Sequence, residues 1–217
     1  MTSTLESDRA VRRTGGFAAL LLALCYLVIT GLYVVAGAVP PGEDGAAWLA
    51  YFADKTTVWW LIVFLSVLTD ILFLPVVVAL VRELRRSLPL ILGAGFLVLF
   101  VVLDLAVTWP NYAALVRMSS LPDQASLAAA ATYASSVLGS GLFAAYAIGL
   151  PALGIALISV ELHGLTRYVG IVTGVVGVAA VVGVGVLVIV VSVLTIAWVT
   201  LVGVWLVRLR DQVVSEA

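Results

Sequence analysis

Residues 168–207 read YVGIVTGVVGVAAVVGVGVLVIVVSVLTIAWVTLVGVWLV, a run of 40 positions without a charged residue. As one straight helix this run would measure about 60 Å, roughly twice the ~30 Å hydrocarbon core of a bilayer. It therefore predicts two membrane-crossing helices joined by a tight hairpin. Glycine tolerates turn conformations best, so we place the turn at Gly183 and Gly185, with Ser192 as the competing position.

The rest of the chain has the same character. Of its 217 residues, 64% are hydrophobic and 11% are charged, against roughly 45–50% and 25% in a soluble domain. We expect an all-α integral membrane protein whose six transmembrane helices form a single domain over residues 1–217. The predicted spans are 17–39, 58–81, 89–109, 139–160, 168–182 and 186–207.

The first apolar run has a competing interpretation as a cleaved signal peptide, because Ala36-Gly37-Ala38 has the small-x-small form of a cleavage site. However, the run is longer than the ~7–15 residues of a signal-peptide core. We therefore expect a retained helix, which Pro40-Pro41-Gly42 ends because proline cannot continue the hydrogen-bond ladder.

Two segments on one side of the membrane are predicted to be helical without crossing it. Residues 43–55 mix aromatic and acidic side chains, which is typical of a short interfacial helix. Residues 122–136 are rich in Ala and Ser and follow Ser120-Leu121-Pro122-Asp123, which offers a cap residue, an early proline and an acid. This segment is predicted to be an outer helical extension that ends at Gly139-Ser140-Gly141.

Charge asymmetry predicts the orientation. With six spans, nine of the eleven lysines and arginines share one side with both termini, and only Lys55 and Arg117 lie on the other. Five spans would weaken that division to seven against four. By the positive-inside rule we expect a multi-pass protein of the cell membrane with both termini cytoplasmic.

Composition also limits the partners. A net charge of −1 gives no electrostatic basis for binding nucleic acid. One cysteine, Cys25, and one histidine, His163, cannot supply a disulfide or a typical zinc or haem site, so we expect neither a metal nor a cofactor. The expected partners are membrane lipids, with a second copy of the chain (a homo-oligomer) and a small solute or cation as further options.

Asp70 and Asp104 are the only ionisable residues predicted inside the hydrocarbon layer. Each costs roughly 2.5–3.5 kcal/mol to insert near a helix centre, and without a basic partner it must be protonated, hydrated or bound to a cation. One interpretation is proton or cation transport. The other is neutral hydrogen bonding between helices, for which the candidate partners are Ser66, Thr69, Thr108, Tyr26 and Thr30.

A weak internal repeat adds Tyr146 to this polar core. Setting Leu74-Pro75 beside Leu150-Pro151 aligns two apolar half-helices that each end in Glu-Leu, and at that offset Asp70 corresponds to Tyr146. Spans 2–3 and 4–5 would then be parallel hairpins. The alternative is that each proline simply kinks a buried helix.

Other residues are predicted to pack or to anchor. The glycines Gly170, Gly174 and Gly177 lie on one face of a helix and would let span 5 approach a neighbour closely. Amphipathic rings favour the membrane interface. The predicted outer anchor belt consists of Trp48, Trp59, Trp60, Trp109 and Tyr112.

Enzymatic patterns are poorly supported. The two aspartates lack the Gly-x-Gly-Asp setting of intramembrane aspartyl proteases, and a hydrolase serine at Ser140 would lie about 34 Å along the helix from His163. We therefore expect a multi-pass bundle without enzymatic activity. A proton- or cation-linked transporter of a small or lipophilic solute is the first alternative, and an intramembrane lipid-modifying enzyme is the second.

Three short motifs resemble a known family. These are Leu74-Pro75, the following Arg82-Glu83-Leu84-Arg85, and the terminal Trp205-Leu206-Val207-Arg208-Leu209-Arg210. Together with the order of the spans, they resemble uncharacterised six-span bacterial membrane proteins grouped as a domain of unknown function. The resemblance implies a six-helix bundle and supplies no activity and no functional residues.

Overall fold

The structure, a computed structural model, describes residues 2–40, 42–84, 86–181 and 185–215, and it describes side chains at 9–40, 42–84, 86–181 and 187–208. Within these ranges the chain is built of helices. Two short stretches, π1 (Asp104–Thr108) and π2 (Ala145–Gly149), are π-helical. The α-helices are α1 (Thr2–Ala36), α2 (Gly45–Ala53), α3 (Thr56–Glu83), α4 (Leu88–Leu103), α5 (Trp109–Ser119), α6 (Gln124–Gly139), α7 (Gly141–Ala144), α8 (Leu150–Ser159), α9 (Gly164–Val181) and α10 (Gly185–Ser215).

Six helical stretches are long and apolar enough to cross a membrane, which confirms the all-helical fold and the six helices of spanning length. Each exceeds or matches the ~18 residues that one crossing requires. The six stretches are Arg9–Ala36, Thr56–Glu83, Leu88–Ser119, Gly141–Ser159, Gly164–Val181 and Leu187–Arg208.

Several bounds differ from the predicted ones. The third span does not stop near residue 109, because the helix continues through π1 and Pro110 to Ser119. The first helix begins at Thr2 rather than near residue 17. Gly183, the predicted turn, lies outside the described residues; the flanking helices end at Val181 and begin at Gly185, and the competing position Ser192 lies within α10.

The six spans pack as a ring. Helix α1 packs against α3 and α10, α9 lies between α10 and α8, and α4 closes the ring by contacting α8 and α3. A Cβ placed on Gly16 would lie 2.8 Å from Val207 Cγ2, so the first and last spans meet near the two chain ends. We call this the terminal end, where Arg12 also pairs with Glu83 at 3.9 Å.

Helices α4 and α8 cross where neither has a side chain. A Cβ on Gly93 would lie 2.7 Å from the carbonyl oxygen of Gly154, and a Cβ on Gly154 would lie 2.9 Å from the carbonyl oxygen of Gly93. Real Cβ atoms do not approach backbone oxygens so closely. The crossing therefore depends on glycine in both helices.

Helices α2, α5 and α6 pack together at the opposite end, which we call the cap. Asp44 starts α2 by accepting a hydrogen bond from the Ala46 amide at 3.0 Å. The amide of Gly45 donates to Thr132 Oγ1 on α6 at 3.1 Å. Asp123 starts α6 by accepting from the Ser126 amide at 3.3 Å, whereas Ser120, the predicted cap residue, ends α5.

The buried apolar residues form two clusters. The inner core joins α1, α3, α4, α8 and α10 through residues such as Leu22, Phe73, Leu97, Ile158 and Trp198. The cap core joins α2, α3, α5 and α6 through Phe52, Trp59, Leu115 and their neighbours. Buried polar side chains of α3 and π1 belong to neither cluster, and the candidate site is built from them.

Candidate functional site

Both predicted intramembrane aspartates lie inside the helix bundle. Asp70 on α3 is 1% exposed and Asp104, the first residue of π1, is 5% exposed. Ser66, Thr69 and Thr108 are buried with them. The hydroxyl of Thr69 donates to the carbonyl oxygen of Ser66 in its own helix at 2.7 Å, so this Thr69 bond does not satisfy an aspartate.

Asp70 is held by an indole. Trp109 Nε1 donates to Asp70 Oδ2 at 2.8 Å and so joins α5 to α3. Sequence analysis predicted Trp109 to be an outer anchor, whereas the structure turns its indole inward to a carboxyl group. This bond fixes the position of the indole.

Asp104 has no comparable partner on one of its oxygens. Its Oδ1 is buried and accepts no hydrogen bond from any described residue. The side chains of Thr108 and Trp109 are neighbours of this carboxyl group, and Asp70 lies close enough to interact with it electrostatically. Leaving a buried acceptor unsatisfied costs about 1–3 kcal/mol, so the oxygen is placed to receive a proton or a ligand.

The two π segments bring Asp104 and Tyr146 into the same region. In each, a backbone amide reaches back five residues: Trp109 to Asp104, and Leu150 to Ala145. A proline follows at once, Pro110 in one case and Pro151 in the other. Proline has no N–H and crowds the preceding turn, which accounts for the wider turn, and π segments occur frequently at functional sites.

A hydrogen bond links the two π segments. The hydroxyl oxygens of Thr108 and Tyr146 lie 3.1 Å apart and are buried. Tyr146 therefore belongs to the polar cluster, as does Asp70, although the two are not in equivalent helices: Pro75 lies inside the α-helix α3, and it is Pro110 that follows a π segment as Pro151 does.

The groups that surround Asp104 are all acids. Within the described part of the chain, five ionisable side chains from α1, α3, α5 and π2 interact with it electrostatically, and none of these five is basic. They are Asp70, Tyr26, Tyr33, Tyr112 and Tyr146. The cluster therefore contributes no positive charge of its own.

A chain of aromatic rings connects this cluster to the cap, and we call Trp109, Tyr112, Trp59 and Tyr51 the aromatic ladder. The Trp109 and Tyr112 ring centroids are 5.8 Å apart, Tyr112 stacks on Trp59 at 5.1 Å, and Trp59 meets Tyr51 edge-on at 6.1 Å. These spacings are those of attractive ring pairs.

The cap end of the ladder carries a positive charge. Lys55 Nζ lies 3.8 Å from the centroid of the Tyr51 ring, a cation–π contact. Burial raises the pKa of the Tyr51 phenol above its usual range, so the phenol stays neutral, and its hydroxyl donates to the end of α1, 2.9 Å from the Gly37 carbonyl oxygen.

The predicted anchor belt is largely internal. Trp59 is fully buried and Trp48 is 5% exposed, whereas Trp60 is 41% exposed. The indole of Trp48 donates to the Gly42 carbonyl oxygen at 3.0 Å. Trp109 and Tyr112 are half-buried and belong to the aromatic ladder. Of the five, Trp60 has the exposure that an anchor needs.

The three glycines of α9 lie against α8. A Cβ on Gly174 or Gly177 would collide with the methyl groups of Ala156 and Ala152 respectively. A Cβ on Gly170 would collide with the hydroxyl of Ser159 and lie 2.6 Å from Trp198 Nε1 on α10. That indole donates to Ser159 Oγ at 2.8 Å, so three spans meet at Gly170.

Sequence analysis missed how Trp109 and Tyr51 are used and did not predict the π segments. One signal was available for the π segments: Asp104 and Ala145 each stand six residues before a proline in the middle of an apolar run. The position of Trp109 directly before Pro110 gave no indication that its indole would face the carboxyl group of Asp70 on α3.

The cluster combines one satisfied carboxyl group, Asp70, with one that keeps a free acceptor, Asp104. Such a site can take up and release a proton, or exchange the proton for a cation, without involving a metal-ligating histidine or cysteine. No protein-family model, curated protein or solved structure matches this chain.

Proposed function

We propose that the protein is a multi-pass membrane carrier in which proton exchange at Asp104 is linked to the passage of a small solute. The observation that carries this proposal is the buried Oδ1 of Asp104, which has no hydrogen-bond donor among the described residues. A purely structural aspartate would pair its buried oxygens with donors on neighbouring helices, as Asp70 Oδ2 pairs with the Trp109 indole.

The two aspartates have different roles in this proposal. Asp70 is a positioning residue that holds the Trp109 indole beside Asp104. Asp104 is the exchanging group, because no lysine or arginine lies within ten residues of it in the sequence and the ionisable groups around it are the acids named above. Its negative charge must therefore be neutralised by a proton or a bound cation.

The membrane arrangement supports the same proposal. With both termini on the cytoplasmic side, as the charge asymmetry favours, the cap and its aromatic ladder would face the outside. Asp104 would then lie between the outer ladder and the inner core. A protonatable group within the membrane, away from both ends, is what an alternating carrier requires.

The test combines chemical labelling with transport. A hydrophobic carbodiimide reacts with protonated carboxyl groups in apolar surroundings, so we expect it to label Asp104 in the purified protein. We also expect wild-type proteoliposomes to take up protons when a pH gradient is applied, as measured with an entrapped pH-sensitive dye. The Asp104→Asn variant should lose the label at position 104 and the proton uptake.

Two variants serve as controls. Asp54→Asn removes an exposed carboxyl group in the cap and should change neither signal. Asp70→Asn should keep the label at Asp104 while slowing proton uptake, because it disturbs Trp109. Absence of labelling at Asp104, together with proton uptake equal to that of empty liposomes, would leave only the structural role for both aspartates.

A further inference from the structure

The aromatic ladder and Asp104 together have the chemistry of a receptor for one class of solute. Resting on the proposed function, we infer that the solute is a lipophilic organic cation that carries one positive charge, recognised by ring faces and neutralised by the Asp104 carboxylate. Three independent observations support this inference: the lysine on the ladder, the continuity of the rings, and the unpartnered carboxyl oxygen.

Lys55 provides the first observation. Its ammonium group lies over the Tyr51 ring at 3.8 Å, so the outermost ring of the ladder already holds a cation, one that belongs to the protein. Ring faces attract cations through their negative quadrupole, most strongly when the pair is removed from water. An external organic cation would use the same face and would have to displace this lysine.

The continuity of the rings provides the second observation. From Tyr51 through Trp59 and Tyr112 to Trp109, successive centroids are 5.1–6.1 Å apart. The ladder ends where the Trp109 indole donates to Asp70 at 2.8 Å and neighbours Asp104. Aromatic rings therefore lie all along the line between the cap and the carboxyl group.

The third observation is the buried carboxyl oxygen of Asp104, beside the Trp109 end of the aromatic ladder. Asp104 Oδ1 is a buried acceptor that has no hydrogen-bond partner among the described residues. Asp104 is 5% exposed. An inorganic ion would require the Asp104 oxygen as a ligand and would not use the aromatic rings. An organic cation would bind to both the oxygen and the rings of the ladder.

The exchange of a proton for the organic cation leaves the net charge of the site unchanged. The cation binds as Asp104 gives up its proton, so the site changes from a neutral acid to a neutral ion pair. The rings are in contact with one another, so Trp109 and Tyr112 must turn aside for the cation to reach the carboxylate. This requirement makes binding sensitive to the shape of the residue at position 112.

The test is equilibrium dialysis of the purified full chain in detergent with radiolabelled tetraphenylphosphonium. We expect saturable binding that Asp104→Asn weakens about tenfold or more. Tyr112→Leu should weaken it roughly three- to thirtyfold through loss of the ring face, while Tyr112→Phe should retain it. Lys55→Gln should tighten binding, because the internal competitor is removed.

Controls separate recognition from partitioning. Tetraphenylborate has the same shape and the opposite charge, and it should not bind saturably. Trp60→Leu removes an exposed ring outside the ladder and should leave the affinity unchanged. Thermal unfolding of each variant shows whether it has folded, and the Tyr112→Phe and Lys55→Gln variants keep the test decisive if Tyr112→Leu does not fold.

Four outcomes decide the matter. Equal binding of the phosphonium and the borate, insensitive to Asp104→Asn, would overturn the inference, as would binding of sodium alone. Carbodiimide labelling and proton uptake without phosphonium binding would also overturn it and leave the proposed function standing. Saturable binding that depends on Asp104 and Tyr112, without any proton uptake, would support the organic-cation site and overturn the proton-linked carrier.

Discussion

The junction of α8, α9 and α10 and the aromatic cap bring helices together by opposite means. At the junction, Gly170 and Gly174 let backbones approach so closely that a methyl group would collide with the neighbouring helix. In the cap, α2, α3 and α5 are held apart by the rings of Phe52, Trp59 and Tyr112, which meet at 4.9–6.5 Å. Small residues thus fix the distances between helices at the junction, and rings fix those among α2, α3 and α5. The contact of α2 with α6 at Gly45 is instead a close backbone approach like those at the junction.

The two regions also differ in the hydrogen bonding of a buried tryptophan. Trp198 at the junction donates its indole N–H to Ser159, whereas the same group of Trp59 in the cap has no acceptor among the residues that the structure describes. Both side chains are fully buried. The junction is therefore satisfied in its polar groups, and the cap retains unused hydrogen-bonding capacity next to the candidate site.

The largest effect is expected from enlarging the junction. Gly174→Leu should force α9 away from α8, at a cost of about 3 kcal/mol or more from overpacking against the backbone. The measurement is the thermal unfolding midpoint of the purified protein in detergent. Gly95→Leu is the matched control, because a Cβ on Gly95 meets no atom within 4 Å, and equal destabilisation by the two substitutions would contradict close packing at Gly174.

An intermediate effect should separate the two tryptophans. Trp198→Phe removes the hydrogen bond to Ser159, while Trp59→Phe removes a buried N–H that has no partner. The loss of ring area is the same, so Trp198→Phe should cost about 1–2 kcal/mol more than Trp59→Phe. Chemical denaturation of both variants in the same detergent measures the difference, and equal costs would mean that Trp59 has an acceptor after all.

The smallest effect is expected from losing one of the hydrogen bonds that join the start of α2 to α6, where Ser135 and Ser136 also bond to Glu43. Thr132→Val removes the acceptor for the Gly45 amide and should cost about 0.5–1 kcal/mol. Thr30→Val is the control, because Thr30 bonds within its own helix, to the Tyr26 carbonyl oxygen at 2.8 Å. Protease susceptibility of the α1–α2 connection in the two variants gives the comparison, and similar cleavage rates would show that this bond does not secure the cap.

The helical architecture could be predicted because hydropathy is a local property. Forty uncharged positions from Tyr168 can only be buried in a bilayer as two crossings, whatever surrounds them. The end of the third span could not be predicted in the same way. Trp109-Pro110 ordinarily indicates a helix end, but a π turn ahead of the proline absorbs the missing hydrogen bond, so the helix continues to Ser119.

The sequence predicted which aspartates belong to the candidate site, but it did not predict which side chains they are hydrogen-bonded to. Asp70 and Asp104 are conspicuous because charge in an apolar run is costly. Their unequal satisfaction depends on where the Trp109 indole points, and that is decided by packing between α3 and α5 rather than by any local pattern. The same holds for Trp59, whose position beside Trp60 does not indicate which of the two faces inward.

Helices α4 and α8 cross at Gly93 and Gly154, and this close backbone contact is a pivot, or fulcrum, about which the two helices can tilt. Asp104 lies on one arm, about 16 Å along the helix from Gly93, and Tyr146 lies on the other, about 12 Å from Gly154. The side chains of Leu97 and Ile158 pack beside the two glycines. A rigid tilt of about 10° between the arms would move Asp104 by about 3 Å relative to Tyr146. That leverage is enough to separate the hydroxyls of Thr108 and Tyr146, now 3.1 Å apart, and to open one side of the carboxyl pair while the glycine contact stays closed.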